Sequence, residues 1–209
     1  MAENNNNQHS KRLYYSVIDG ELRRKANPED NQEYVKKRTR KDGVEVSEYV
    51  PSSISGIISS FEIKTEDFQG KKISRLHVTL SDVGEEYLIQ FPVESRYFGS
   101  FVSKLPNVKF NNSVEISVYD FTDKSGKKVA GVLVKQGSKV PDFFTKENPL
   151  PGVSAYPFDG DDDEKKLWGI QRTKALKSVV VNQYERLKSE LVADAPSVSN
   201  SDYSDDIPF

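Results

Sequence analysis

A mainly β fold is predicted by three observations. Apolar and polar residues alternate in successive short segments from Leu13 to Gln136, and turn signals such as Asp19-Gly20, Asp42-Gly43 and Gln69-Gly70 separate those segments. Helical spacing of apolar residues is confined to one short stretch, Arg96 to Leu105, and one long stretch near the end of the chain. A content of 35% apolar residues and a mean hydropathy of -0.66 over 209 residues mean that one compact core shares the chain with much solvated material.

The leader, residues 1–10 with its Asn4 to Asn7 run, is polar and expected to be disordered. Residues 11–53 form a β-hairpin extension packed on the barrel that follows. Its first hairpin joins Leu13 to Ile18 and Glu21 to Lys25, and its second turns at Asp42-Gly43, a two-residue signal that favours a type I′ turn. With Lys41 paired to Val44, the expected register sets Arg40 opposite Glu45, Arg38 opposite Ser47 and Lys36 opposite Tyr49, all on one face. Residues 54–140 are the core. Ile57, Phe61 and Ile63 mark its first strand, with Gly56 and Ser59 as bend or bulge positions. Leu76, Val78 and Leu80 mark the second, with Arg75, His77 and Thr79 facing outward. Tyr87, Ile89 and Phe91 mark the third. Ser95 caps a helix that Pro106 ends. Val114 to Phe121 and Lys127 to Lys135 complete the set. Three strands, a helix and two strands is the order of an OB-fold, a five-stranded Greek-key barrel that commonly holds oligonucleotides. Residues 141–161 are a connector loop, and 162–192 an amphipathic helix carrying Leu167, Ile170, Leu176, Val180, Tyr184, Leu187 and Leu191. That helix is expected to pack on the barrel or on its counterpart in another subunit. The acidic run from Asp159 to Glu164 does not match an EF-hand loop and suits a helix start, where carboxylates meet the dipole and the free N–H groups.

Residues 193–209 are expected to be a disordered acidic tail. Residues 194–209 hold four Asp and no Lys or Arg, so the net charge of -2 hides a body of net +2. Asp205, Asp206, Ile207, Pro208 and Phe209 place two carboxylates before an apolar tripeptide. Phe209 can fill an apolar pocket while its carboxylate meets a cation, Pro208 limits the freedom lost on docking, and the two Asp meet a basic rim. This tip resembles that of bacterial single-stranded DNA-binding proteins (the SSB family). The resemblance implies a protein that coats and protects single-stranded DNA, forms a homo-oligomer, and recruits replication, recombination or repair proteins through Asp205 to Phe209 in the bacterial cytoplasm or nucleoid. The extension before the barrel and the helix close to the tip depart from that family, and fit a divergent phage or mobile-element copy.

Single-strand binding needs cations for phosphates and rings for bases. Candidates on the second hairpin are Lys36, Arg38, Arg40 and Tyr49. On the barrel they are Phe68, Arg75, Tyr119, Phe121, Lys127 and Lys128. Catalysis is not expected: there is no Cys, the only His are His9 and His77, and no phosphate-cradling Gly-x-x-x-x-Gly-Lys segment is present. No cofactor or metal is expected, although a nuclease using scattered carboxylates such as Asp161 to Asp163 is an enzymatic alternative. No stretch has the length of apolar residues that spans a bilayer, and Met1 to Lys25 lacks the centre of a signal peptide. The rival readings are an adaptor whose barrel binds protein while its tail mimics the tip, and an RNA-binding OB protein.

Overall fold

The computed structural model describes residues 11–40 and 42–193. Its elements are β1 (Lys11–Ile18), β2 (Glu21–Lys25), β3 (Val35–Thr39), β4 (Glu45–Tyr49), β5 (Ile54–Phe68), β6 (Lys71–Asp82), β7 (Glu85–Pro92), α1 (Arg96–Val102), β8 (Val114–Thr122), β9 (Lys128–Gln136), β10 (Ser138–Lys139) and α2 (Asp162–Ala193). The fold is mainly β. Among the described residues ten strands make one sheet in the order β10-β9-β8-β5-β6-β7-β1-β2-β4-β3, curled into an open half-barrel. Among the described residues, no helix is long and apolar enough to cross a membrane.

The sheet has more strands than the five expected, because the N-terminal hairpins join it edge to edge. β1 pairs in parallel with β7, from Lys11 opposite Glu85 to Ser16 opposite Gln90, and so occupies the edge that β7 would otherwise leave open. β9 lies between β8 and β10 instead. Beyond β10, its free edge is covered by α1: Ser100 Oγ accepts from the Val132 N–H at 3.0 Å, and Arg96 Nη1 donates to the Lys128 carbonyl at 2.5 Å. Ser95 caps α1 by accepting from the Phe98 N–H.

Curling follows from β5. This strand pairs with β8 through Ile54 to Gly56 and with β6 from Ile57 onward, and a bulge between Ile58 and Ser60 bends it. The extra residue, Ser59, switches the face parity. Ile58 and Phe61 are therefore both in the core, while Ile57 is exposed. Across the open side of the curl the β1–β2 turn comes up against β8, where Gly20 abuts Asp120. Tyr97 stitches this seam by donating to Asp120 Oδ2 at 3.2 Å, and burial pushes its phenol up to about 12.

The core inside the curl joins Leu76, Val78, Leu80, Ile89, Phe91, Ile116 and Val134 to Phe98 and Phe101 of α1, with Phe91 stacked on Phe101 at 5.1 Å. His77 and Thr79, expected to face outward, are also buried, with His77 flanked in register by Glu62 and Gln90. The middle of α2 packs on β5 and joins this core: Leu176, Val180 and Leu187 are buried, and Tyr184 meets Phe61 edge-on at 5.7 Å. The two ends of the expected stripe stay out, since Leu167, Ile170 and Leu191 are exposed. Arg186 lies over the Phe110 ring at 4.4 Å and donates to the Pro106 and Val108 carbonyls, while Glu190 accepts from the Phe110 N–H at 3.1 Å. At the helix start Asp161 accepts from the Glu164 N–H and Glu164 accepts from the Asp161 N–H, a reciprocal capping box.

Candidate nucleic-acid interface

The second hairpin does not form the expected surface. Its register is Thr39 opposite Glu45, Arg38 opposite Val46, Lys36 opposite Glu48 and Val35 opposite Tyr49, one residue away from expectation. The cause is the turn. The Arg40 N–H donates to the Val44 carbonyl and the Gly43 N–H to the Arg40 carbonyl, with Gly43 at φ +82°, so the connection is a residue longer than a type I′ turn. Lys41 itself lies outside the described residues.

A one-residue slip moves Tyr49 to the other face and brings Glu48 opposite Lys36. Arg38 makes two hydrogen bonds to Glu48, at 3.0 and 2.7 Å, and Arg23 adds a third at 3.2 Å. These cations hold the Glu48 carboxyl below the usual carboxylate range, with the Arg38 hydrogen bonds as the main cause. Lys36 pairs with Glu21 at 2.6 Å. Tyr49 packs edge-on against Tyr34 at 6.0 Å and lies under the Arg24 guanidinium at 4.5 Å, which is itself held by Asp30 and the Tyr15 hydroxyl. Of the three hairpin cations proposed from sequence, Arg40 alone makes no ion pair among the described residues.

The barrel candidates fall into two groups. Phe68 and Arg75 sit on the long β5–β6 hairpin: Phe68 ends β5 and is exposed, and Arg75 donates to Glu66 at 3.2 Å. Tyr119, Phe121, Lys127 and Lys128 sit on the β8–β9 hairpin. Because Ile54 pairs with Ile116 and the strands are antiparallel, Phe68 lies up to about 46 Å along β5 in one direction and Tyr119 lies beyond Ile116 in the other. A single continuous patch of all six does not exist.

The β8–β9 group is the better built of the two. Alternation along β8 sends Ile116 and Val118 inward and Tyr119 and Phe121 outward. The two rings are neighbours at 5.8 Å with an interplanar angle of 37°, and both are exposed. Tyr119 faces Gly131 across the ladder, where a Cβ would stand 2.5 Å from the tyrosine oxygen. A glycine at 131 is thus what lets Tyr119 lie across β9 toward α1. No protein-family model, curated protein or solved structure matches the chain. The argument for this surface therefore rests on its geometry.

Lys124 and Lys127 lie in the turn that follows the two rings, whereas Lys128 stands opposite Thr122, on the other face of the hairpin. Lys128 pairs with Asp120 at 3.2 Å, while Lys124 and Lys127 make no ion pair among the described residues. Asp123 Oδ1 orders the turn, accepting from Ser125 Oγ at 2.6 Å and from the Ser125 and Lys127 N–H groups; these bonds hold its pKa below the usual range, so the carboxylate stays charged beside Lys127. Arg96, exposed at the start of α1, joins the group through its bond to the Lys128 carbonyl. Lys124 and Arg96 were not among the sequence candidates. Lys124 could have been found from its place in the same turn; Arg96 comes close only through the packing of α1 on β9. The tip residues Asp205 to Phe209 lie outside the described residues. Among the described residues no cluster of His, Asp and Glu could hold a metal ion.

Proposed function

We propose that this protein binds single-stranded DNA through the β8–β9 hairpin, with little sequence preference, and recruits replication, recombination or repair proteins through Asp205 to Phe209. One observation carries the reading: two adjacent exposed rings, Tyr119 and Phe121, stand beside a turn whose Lys124 and Lys127 make no ion pair among the described residues, with Arg96 bonded to the edge of β9. Rings of this kind stack on any base, and cations beside them track the phosphates. Strands β5 to β9 with α1 after the third follow the order of an OB-fold, in which the loops after the first and fourth strands flank the bound strand. In that reading Phe68, Lys71 and Lys72 form one flank and the β8–β9 turn the other, with β1 as an added wall strand. The acidic tip acts in trans, as its resemblance to the single-stranded DNA-binding proteins implies.

A fluorescence-anisotropy titration against labelled oligo-dT, duplex DNA and matching RNA, at several salt concentrations, tests this. Binding to oligo-dT well above duplex, with log affinity falling by about 0.7 per tenfold rise in salt for each phosphate contacted, is the expected result. Preference for RNA would replace DNA with RNA as the ligand. Absence of binding at low salt would leave the protein-adaptor reading in its place.

A further inference from the structure

A cavity of about 700 Å³ lies between the 141–161 connector and the first half of α2, within the size range of ligand pockets, about 300–1,000 Å³. Its walls include Phe144, Leu150, Tyr156, Phe158 and Trp168. None of the nucleic-acid candidates lines it. The walls are held in place: Trp168 donates to the Ser154 carbonyl at 2.9 Å, and Tyr156 meets Trp168 and Phe158 edge-on at 4.9 and 5.0 Å. Phe158 nonetheless remains 81% exposed, an aromatic rim to the cavity.

One cation belongs to this cavity. Arg172 lies over the Trp168 ring at 5.7 Å, and its guanidinium rests against Gly99 of α1, where a Cβ would stand 2.8 Å away. Burial lowers its pKa, and no carboxylate among the described residues pairs with it. A partly desolvated guanidinium facing an aromatic cavity is complementary to an apolar ligand that carries a carboxylate. Lys146, at the rim, adds a second positive charge.

The chain contains a segment of that chemistry. We propose that its own Asp205–Phe209 docks in this cavity, with Phe209 and Ile207 between the aromatic walls and a carboxylate on Arg172. Charge agrees, since residues 194–209 carry four Asp and no cation. Reach agrees too: Arg172 lies about 32 Å back along α2 from Ala193, whereas the chain from Ala193 to Phe209 spans up to about 53 Å when extended. A tip seated at home is withheld from other proteins, so a partner must compete with the cavity for it. The inference concerns the segment assigned to partner recruitment above, and stands whether or not the β8–β9 hairpin binds nucleic acid.

Trp168 is the only tryptophan, so its fluorescence reports on this cavity. Iodide quenching of the full chain is compared with that of Phe209→Ala, Lys146→Gln and Arg172→Met, with circular-dichroism melts verifying the fold of each. The expected result is stronger quenching in Phe209→Ala, reversed by adding the peptide Ser-Asp-Asp-Ile-Pro-Phe at about the millimolar level of a tethered segment. The peptide should bind Phe209→Ala/Arg172→Met about tenfold more weakly, as for loss of one charge-assisted hydrogen bond. Lys146→Gln should lie between, which keeps the test informative if Arg172→Met does not fold. Equal quenching with and without Phe209, together with no response to the peptide, would overturn the proposal. Quenching protection that grows with protein concentration would also overturn it, in favour of a tail from a neighbouring copy. Loss of oligo-dT binding alone would count against the interface reading and not against this one.

Discussion

Burial of His77, which is 7% exposed, makes the fold acid-sensitive. Desolvation is the main reason its pKa falls below the ordinary value, with Lys64 and Arg75 adding to the effect and Glu66 and Glu62 opposing it. A group depressed in the folded state contributes stability that is full above its unfolded pKa, about 6.5 for His, and is lost as pH falls through the folded value. The urea midpoint is therefore expected to fall between about pH 7 and pH 5, with a flatter slope in His77→Gln; parallel slopes would contradict the assignment. Glu48 acts in the same direction at lower pH, because its paired carboxyl is also depressed. Alternation along β6 correctly separates Leu76, Val78 and Leu80 from His77. It could not show that the opposite face is covered as well, since that depends on neighbours in β5 and β7. Similarly, Gly131 carries no sign in the sequence that it makes room for Tyr119. At this residue, Gly131→Ala should displace the Tyr119 ring and weaken oligo-dT binding, and unchanged affinity would show that the ring position does not matter.

Individual elements were legible where a local signal exists. The start of α2 follows from Asp161 and Glu164 at capping-box spacing, and α1 from Ser95 and the apolar residues behind it. Turn positions were legible as well, but turn lengths were not. Asp42-Gly43 suits both a two-residue turn and the longer one observed, and that difference alone decides whether Tyr49 or Glu48 shares a face with Lys36 and Arg38. Ser59 has the same effect in β5. For α2, periodicity marks a stripe but not how much of it finds a partner. Leu187, fully buried, should cost about 2–5 kcal/mol when changed to Ala, whereas Ile170→Ala, at an exposed site, should stay within about 0.5 kcal/mol. Urea denaturation measures both. Equal costs would mean that α2 is not docked through its middle.

For the whole molecule, a mainly β fold was legible because its short-range pattern repeats many times. The sheet order was not. Parallel pairing of β1 with β7 joins residues far apart in sequence and leaves no local mark, so the N-terminal hairpins read as an extension when they are part of the wall. The same long-range geometry separates Phe68 and Arg75 from Tyr119 and Phe121. It also brings Arg96 to the edge of β9, and neutralises most of the cations on β3 with Glu21 and Glu48. What remains is a compact surface of two rings and their cations on one hairpin, apart from the aromatic cavity beside α2. The most direct measurement is the oligo-dT affinity of Tyr119→Ala/Phe121→Ala against the unaltered protein, with melts verifying the fold. The account predicts a loss of about 1–3 kcal/mol for each base that no longer stacks, with the melting temperature nearly unchanged. Unaltered affinity in a folded double variant would contradict the assignment of this hairpin as the DNA-binding surface.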